Sequence, residues 1–281
     1  MNRKGLLFLW MFLLGFRAFC QYEEELDTTA RIKNKYCLGI GGGFGNVAVR
    51  DRVITTFLYS GDFVPLSFHF DVRTESKKSF LRLEFMNSPI LHTKTNEGFA
   101  YKGQLGEFFP TETDGLDLST LKSKAYLLNY TILYLLKDTE NRKINVFLGF
   151  DLSHNRFQKN FIQFEYKNKL NDLIQSASVV LSFERNFNFK HQLEYIVSTP
   201  IISRASRSLT NLEADPTTVT QVKYSIVKNI FGFDSRLHYR FHLSQKVSLK
   251  GTYAFRYLQV NFPEKEQWAY SQGFIGLYFH F

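Results

Sequence analysis

From Tyr36 to the last residue, apolar and polar side chains alternate with a period of two, the pattern of strands whose two faces meet different surroundings. The alternation predicts segments at 36–49, 62–73, 78–90, 122–137, 143–154, 176–187, 190–203, 229–243, 246–258 and 269–281. Residues of one parity are apolar throughout, as in Leu66, Phe68, Phe70 and Val72, in Tyr126 to Leu136, and in Leu237, Tyr239, Phe241 and Leu243. The other parity carries His69, Asp71, Arg73, Arg82, Glu84, Asp151, Glu184, Glu194, Asp234, Arg236, His238, Arg240, Lys250 and Arg256.

A charge facing lipid near the bilayer midplane costs about 2 to 4 kcal/mol. The uncharged face is therefore expected to meet lipid and the charged face a lumen. A lipocalin-like barrel or a sandwich would show the same period with the apolar set turned inward. The connections favour the membrane. Short ones at Thr74–Lys77, Asp138–Arg142, Asn188–Phe189 and Ser244–Gln245 alternate with long ones at 50–61, 91–121, 155–175, 204–228 and 259–268. Outer-membrane barrels have this asymmetry, with periplasmic turns and extracellular loops. Proline, which cannot donate to a ladder, falls in the long connections (Pro110, Pro216, Pro263) or is placed at outer strand ends (Pro65, Pro89, Pro200). The expected fold is all-β: an antiparallel transmembrane barrel of about ten strands, spanning 36–281 with both termini on the periplasmic side.

The final strand, Ala269 to Phe281, keeps one face apolar through Ile275, Leu277, Phe279 and Phe281, with Gly273 in the same row. It resembles the closing strand of bacterial outer-membrane β-barrels. The resemblance implies that these five residues form a signal read by the barrel-assembly machinery. In its glycine-rich first strand after a short lead-in and its aromatic last strand, the chain is similar to opacity-type and PorT-like barrels. The PorT-like resemblance implies a part in a secretion apparatus.

The N-terminus is consistent with export. Arg3 and Lys4 precede an apolar run from Leu6 to Phe16, and small residues at Ala18 and Cys20 fit a cleavage site before Gln21. The run is too short to span a bilayer. Residues 1–20 are expected to be a removed signal peptide, and 21–35 a flexible periplasmic lead-in. Arg17, Ala18 and Phe19 before Cys20 do not make a lipobox. Loss of Arg3, Lys4 and Arg17 takes the formal charge from +9 to +6. With no nucleic-acid motif and no long basic block, nucleic acid is not an expected partner. Membrane lipid is, with surface or secretion partners possible in kind. Cys37 is the one cysteine after the leader, so no internal disulfide can form.

Six acids and six bases in the inward set predict pairing across a narrow, largely filled lumen. Residues 234–242 carry its densest ladder, Asp234, Arg236, His238, Arg240 and His242, readable as a proton-sensitive or anion-binding stripe or as half of that network. Omptin proteases, also ten-stranded, work with Asp and His near the outer rim. His69 and Asp71 fall at the wrong end for this, and Asp151 with His154 at the outer end of the fifth segment is one pair, short of a catalytic constellation. Gly39, Gly41, Gly42, Gly43 and Gly45 precede no helix and no Lys-Ser/Thr, which excludes a phosphate loop. They instead leave room for inward Phe274 and Tyr278 at the closing seam. No cofactor or metal is expected. The composite expectation is a non-catalytic scaffold, adhesion or binding barrel, with a narrow porin, a secretion component and a rim hydrolase as alternatives. The long connections, with Phe108 and Phe109 among their residues, are the remaining place for recognition.

Overall fold

The structure is a computed structural model that describes residues 35–51, 58–93, 120–137, 144–161, 170–187, 190–210, 218–226, 229–262 and 264–281. The expected signal peptide, the expected lead-in up to residue 34, the expected turn at 138–142 and Pro110, Pro216 and Pro263 lie outside them. The strands are β1 (Tyr36–Asp51), β2 (Leu58–Arg73), β3 (Lys77–Thr93), β4 (Thr120–Lys137), β5 (Asn145–Phe161), β6 (Leu170–Asn186), β7 (His191–Thr210), β8 (Thr218–Ile226), β9 (Ile230–His242), β10 (Val247–Asn261) and β11 (Lys265–His280). Each pairs antiparallel with its neighbour, and β11 returns to β1 from Cys37↔His280 to Asp51↔Glu266, so the sheet closes.

Ten strands make the wall, and β8 is the eleventh. Both β8 and β9 run antiparallel to β7, β9 along His191–Ser198 and β8 along Ile202–Thr210. β8, which ends at Ile226, thus prolongs along β7 the wall that β9 begins at Ile230. Segment 204–228, expected as a loop, is largely strand.

The strands contain 13 to 20 residues apart from β8, where a bilayer needs about 9 to 11. They overshoot, and the side chains register where. Near the rim that carries the two chain ends, the outside is apolar: Leu38, Ile40, Leu66, Phe68, Tyr130, Leu148, Phe150, Ile275 and Leu277 are exposed. Farther along, the outside turns polar at Asn46, Asp62, Lys122, Lys124 and Arg156. There the apolar residues switch parity and point inward. Val47, Val49, Tyr59, Phe63, Leu127, Phe157, Ile174, Trp268 and Tyr270 belong to one buried core cluster inside the barrel. The lower zone is built like a membrane barrel and the upper zone like a water-soluble one.

This parity switch corrects the expected strand ends. Alternation read as a lipid-facing row appears to stop where the strand leaves the membrane, although the ladder continues. Of the expected loop 155–175, β5 takes the residues to Phe161 and β6 those from Leu170; of 50–61, β1 takes those to Asp51 and β2 those from Leu58; and of 259–268 three residues remain between Asn261 and Lys265. Of the expected loop 91–121, residues 94–119 lie outside the described residues. Pro65, Pro89 and Pro200 lie within β2, β3 and β7, not at their ends. Pro89 falls in the register shift between Ser88 and Leu91, and Pro200 beside the one at Ala177/Ser178, where the ladder needs no donor.

The glycines of β1 let the closing seam approach. The ring of Tyr278 covers Gly39. The ring of Phe274, expected over the same row, is not among the nearest neighbours of Gly41, Gly43 or Gly45; Phe274 meets Gly43 through its backbone alone. At Gly43 it is the Gly273 carbonyl that fills the space, and at Gly45 the Phe63 ring. A Cβ on Gly43 would overlap that carbonyl, whereas one on Gly42 meets nothing nearer than the Pro65 oxygen at 3.8 Å. Gly43→Ala is expected to cost about 1 to 3 kcal/mol through forced separation of β1 from β11, and Gly42→Ala close to nothing. Thermal unfolding of the two variants, followed by heat-modifiable gel mobility, measures the difference.

Candidate functional site

Inside the membrane-level zone, the inward parity of each strand brings its charges to a common axis. Arg73 on β2 holds Glu184 on β6 through two hydrogen bonds, Nη2 to Oε1 at 2.6 Å and Nη1 to Oε2 at 3.1 Å. Lys78 on β3 donates to Glu184 and, at 3.1 Å, to Glu194 on β7, which also accepts from Ser182 Oγ at 3.0 Å. Arg240 on β9 reaches Asp71 across the barrel at 3.2 Å. Arg82 Nε lies 2.9 Å from Glu84, and Asp234 accepts from Arg236 and from Arg256, the latter at 2.7 Å. Asp151 accepts hydrogen bonds from Thr131 at 2.5 Å and Asn129 at 3.2 Å. Burying an ion without a partner is expensive, so this crosslinked set fixes one arrangement of the interior.

All fourteen sequence-selected lumen residues have their inward parity here. Lys78, which joins two of the acids, was not among them, though it shares the row of Arg82 and Glu84. His69 packs against the Tyr278 ring, centroids 5.5 Å apart, and His238 shares a hydrogen bond of 2.8 Å with Thr252. Asp151 and His154 are separated by the wall itself. Asp151 is buried inside, while His154 is exposed outside and bonded to Gln175. Their odd spacing in a strand requires this. Ser248 Oγ lies 2.7 Å from His280 Nε2, a nucleophile–base spacing, but Ser248 is fully buried and His280's ring neighbour is His242. No substrate carbonyl could reach it.

A second charged cluster sits above the membrane zone, within the apolar core, and sequence reasoning missed it entirely. Asp51 (β1), Lys159 (β5), Asp172 (β6), Arg207 (β7) and Glu266 (β11) meet with at most 2% of their surface exposed. Lys159 Nζ touches all three acids, at 2.5 Å for Asp172 and 2.6 Å for Glu266, and also Asp51. Arg207 donates to Asp51 at 3.0 Å and to the carbonyls of Phe262 and Glu264 at 2.8 and 3.0 Å, tying the β10–β11 connection across the far mouth. The Trp268 and Phe157 rings stack beneath, centroids 4.6 Å apart. Asp51, Asp172 and Glu266 are near enough together to share one cation, and the Lys159 ammonium supplies that charge. In the sequence these residues sit where the lipid-facing pattern had ended, so they read as loop. The available signal was the inward row Glu266, Trp268, Tyr270 continuing the parity of Phe274 and Tyr278.

Three acids and two bases balance when one acid holds a proton. Burial, and after it Asp172, pushes the Glu266 carboxyl up to about 8, against the pull of Lys159 and Arg207. Asp51 is held below the ordinary carboxylate range by Lys159 and Arg207, which outweigh its burial. The folded state therefore binds a proton at Glu266 that the unfolded chain has released. Stability from this group falls as pH rises from the ordinary Glu value of 4.5 to about 8. Glu266→Gln is expected to flatten that decline and to equal or exceed the parent protein in stability at pH 8. Urea unfolding midpoints at pH 5, 6.5 and 8 check the sign.

No protein-family model and no curated protein match the chain. Among solved structures it is similar to the outer membrane protease OmpT from Escherichia coli, at 8% identity and TM-score 0.48, covering 92% of this chain and 99% of that one. It is also similar to Neisserial surface protein A, NspA, at 11% and 0.34, covering 87% and 97%. A third is Ail, the attachment invasion locus protein of Yersinia pestis, at 7% and 0.32, covering 88% and 99%. Identity this low transfers no site residue. On its own belt of exposed apolar residues and its closed antiparallel sheet, the chain is an outer-membrane-type β-barrel.

Proposed function

We propose that the protein is an integral outer-membrane barrel of a Gram-negative-type cell with a non-catalytic scaffold, adhesion or binding role. The observation that carries this reading is the filled interior. A crosslinked polar layer occupies the membrane zone, and an aromatic core capped by the Lys159–Arg207 cluster lies above it. A narrow porin needs a continuous water path, and the best-formed cavity among the described residues is only about 60 Å³. A rim hydrolase needs converging groups that a substrate can reach, and Asp151 and His154 lie on opposite faces of the wall.

Short connections at Thr74–Ser76 and Leu243–Lys246, on the rim that carries the chain ends, support placing that rim in the periplasm. The polar upper zone then stands outside the cell and offers a rigid surface for a partner. Assembly through the outward row Gly273, Ile275, Leu277, Phe279 and Phe281 belongs to the same reading, as does membership of a secretion apparatus. In planar bilayers the purified barrel is expected to give no stable conductance steps. Reproducible porin-sized steps from the pure protein would sink the scaffold reading in favour of transport.

A further inference from the structure

The outside of the upper zone is not evenly charged. Lys122 and Lys124 on β4 and Arg156 on β5 are exposed there, and the outward rows of β3, β4, β5 and β6 carry no acid among the described residues. On β2, by contrast, the outward Asp62 accepts a hydrogen bond from Asn46 at 3.2 Å. Arg156 donates to Asn171 at 3.2 Å, a neutral partner. Three cations therefore share one side of the wall with no carboxylate among the described residues of that side.

The ladder sets their spacing. Tyr126 pairs with Arg156 and Lys124 with Gln158, so Lys124 and Arg156 are diagonal neighbours on one face, with Cβ atoms about 7 to 8 Å apart. Lys122 stands two residues farther along β4, about 7 Å from Lys124. Side chains as long as these can bring their charges onto one anionic group. Their depth is fixed too. Tyr126 opens the exposed apolar belt of β4, with Leu128 and Tyr130 following it. The cations thus stand at the edge of the belt, where tyrosine marks the level of lipid headgroups.

We infer that Lys122, Lys124 and Arg156 form a binding site for the phosphate groups of a lipid in the surrounding leaflet, whose acyl chains lie along Tyr126 and Leu128. Arginine takes a phosphate through two parallel hydrogen bonds, and the two lysines add point charges around it. An acidic protein would be drawn by the same charges, but at the edge of the belt the headgroup is already in place. The inference rests on the integral outer-membrane reading and goes beyond it, because it names the lipid chemistry that the wall selects and the strands that hold it.

Native mass spectrometry of the folded full-length mature barrel tests the site, with titrations of diphosphoryl lipid A and of lipid A stripped of its phosphates. Saturable binding is expected for the phosphorylated form, and binding about tenfold or more weaker for the stripped one. The triple variant Lys122→Gln/Lys124→Gln/Arg156→Gln should bind the phosphorylated form about a hundredfold more weakly, at about fivefold for each cation removed. The charge-matched Lys35→Gln/Lys77→Gln/Lys246→Gln, near the rim of the chain ends, should bind as the parent does. Equal binding of the two lipids, parent-like affinity in the first variant, or an equal loss in the second overturns the site and leaves the patch to an acidic protein. Insertion of the same samples into phosphatidylcholine vesicles, scored by heat-modifiable gel mobility, separates the two readings. A parent protein that fails to insert overturns the membrane reading and the site with it, whereas insertion without phosphate-dependent binding overturns the site alone. Should the triple variant fail to insert, Lys124→Gln replaces it: a loss of about fivefold supports the site, and unchanged affinity overturns it.

Discussion

Every strand but β8 is longer than the membrane it crosses, and that mismatch organises the molecule. A barrel wall has two faces and a fixed alternation, so leaving the bilayer cannot change which residues point out. What changes is the solvent on the outside. Along β11 the outward row runs Phe279, Leu277, Ile275 and Gly273, then Ser271, Ala269, Gln267 and Lys265. The inward row of this strand, His280, Tyr278, Gly276, Phe274, Gln272, Tyr270, Trp268 and Glu266, is mixed throughout, and the upper interior is made apolar by Val47, Val49, Leu127, Phe157 and Ile174 on other strands. Hydrophobic burial is thus supplied by lipid below and by the protein's own interior above.

The interior chemistry follows from the same switch. In the membrane zone the outside takes most of the apolar side chains, and the inside combines polar groups that must satisfy one another with a small buried cluster of Leu133, Phe147, Val180 and Ile196. Above it the inside becomes a hydrophobic core that includes Tyr59, Phe63, Phe157, Trp268 and Tyr270, and among the described residues Lys159 and Arg207 gather buried acids into a cluster that ties five strands. The two layers close the barrel by different means.

Much of this was legible in the chain. The fold class, the closing pair of β1 and β11, the Tyr278–Gly39 contact and the inward parity of Arg82, Glu84, Asp234 and Arg240 all follow from period-two alternation. The strand ends did not, because alternation reports the contrast between two faces, and that contrast vanishes and then reverses at the membrane boundary. Asp51, Lys159, Asp172, Arg207 and Glu266 were lost with them. A charged residue between apolar inward neighbours, such as Lys159 two places from Phe157, carries no sign of its partners until five strands are in register. The split of one wall strand into β8 and β9 was equally hidden, since the Ser, Thr and Lys of 218–226 read as solvated loop.

The two-zone wall is the claim on which the rest stands, and nitroxide depth profiling tests it most directly. Labels on Phe68→Cys and Phe150→Cys, within the belt, and on Lys124→Cys and Arg156→Cys, above it, would be read in reconstituted bilayers by collision with oxygen and with a water-soluble nickel complex. The account requires lipid-like accessibility at 68 and 150 and aqueous accessibility at 124 and 156. Lipid-like values at all four, or aqueous values at all four, would contradict it.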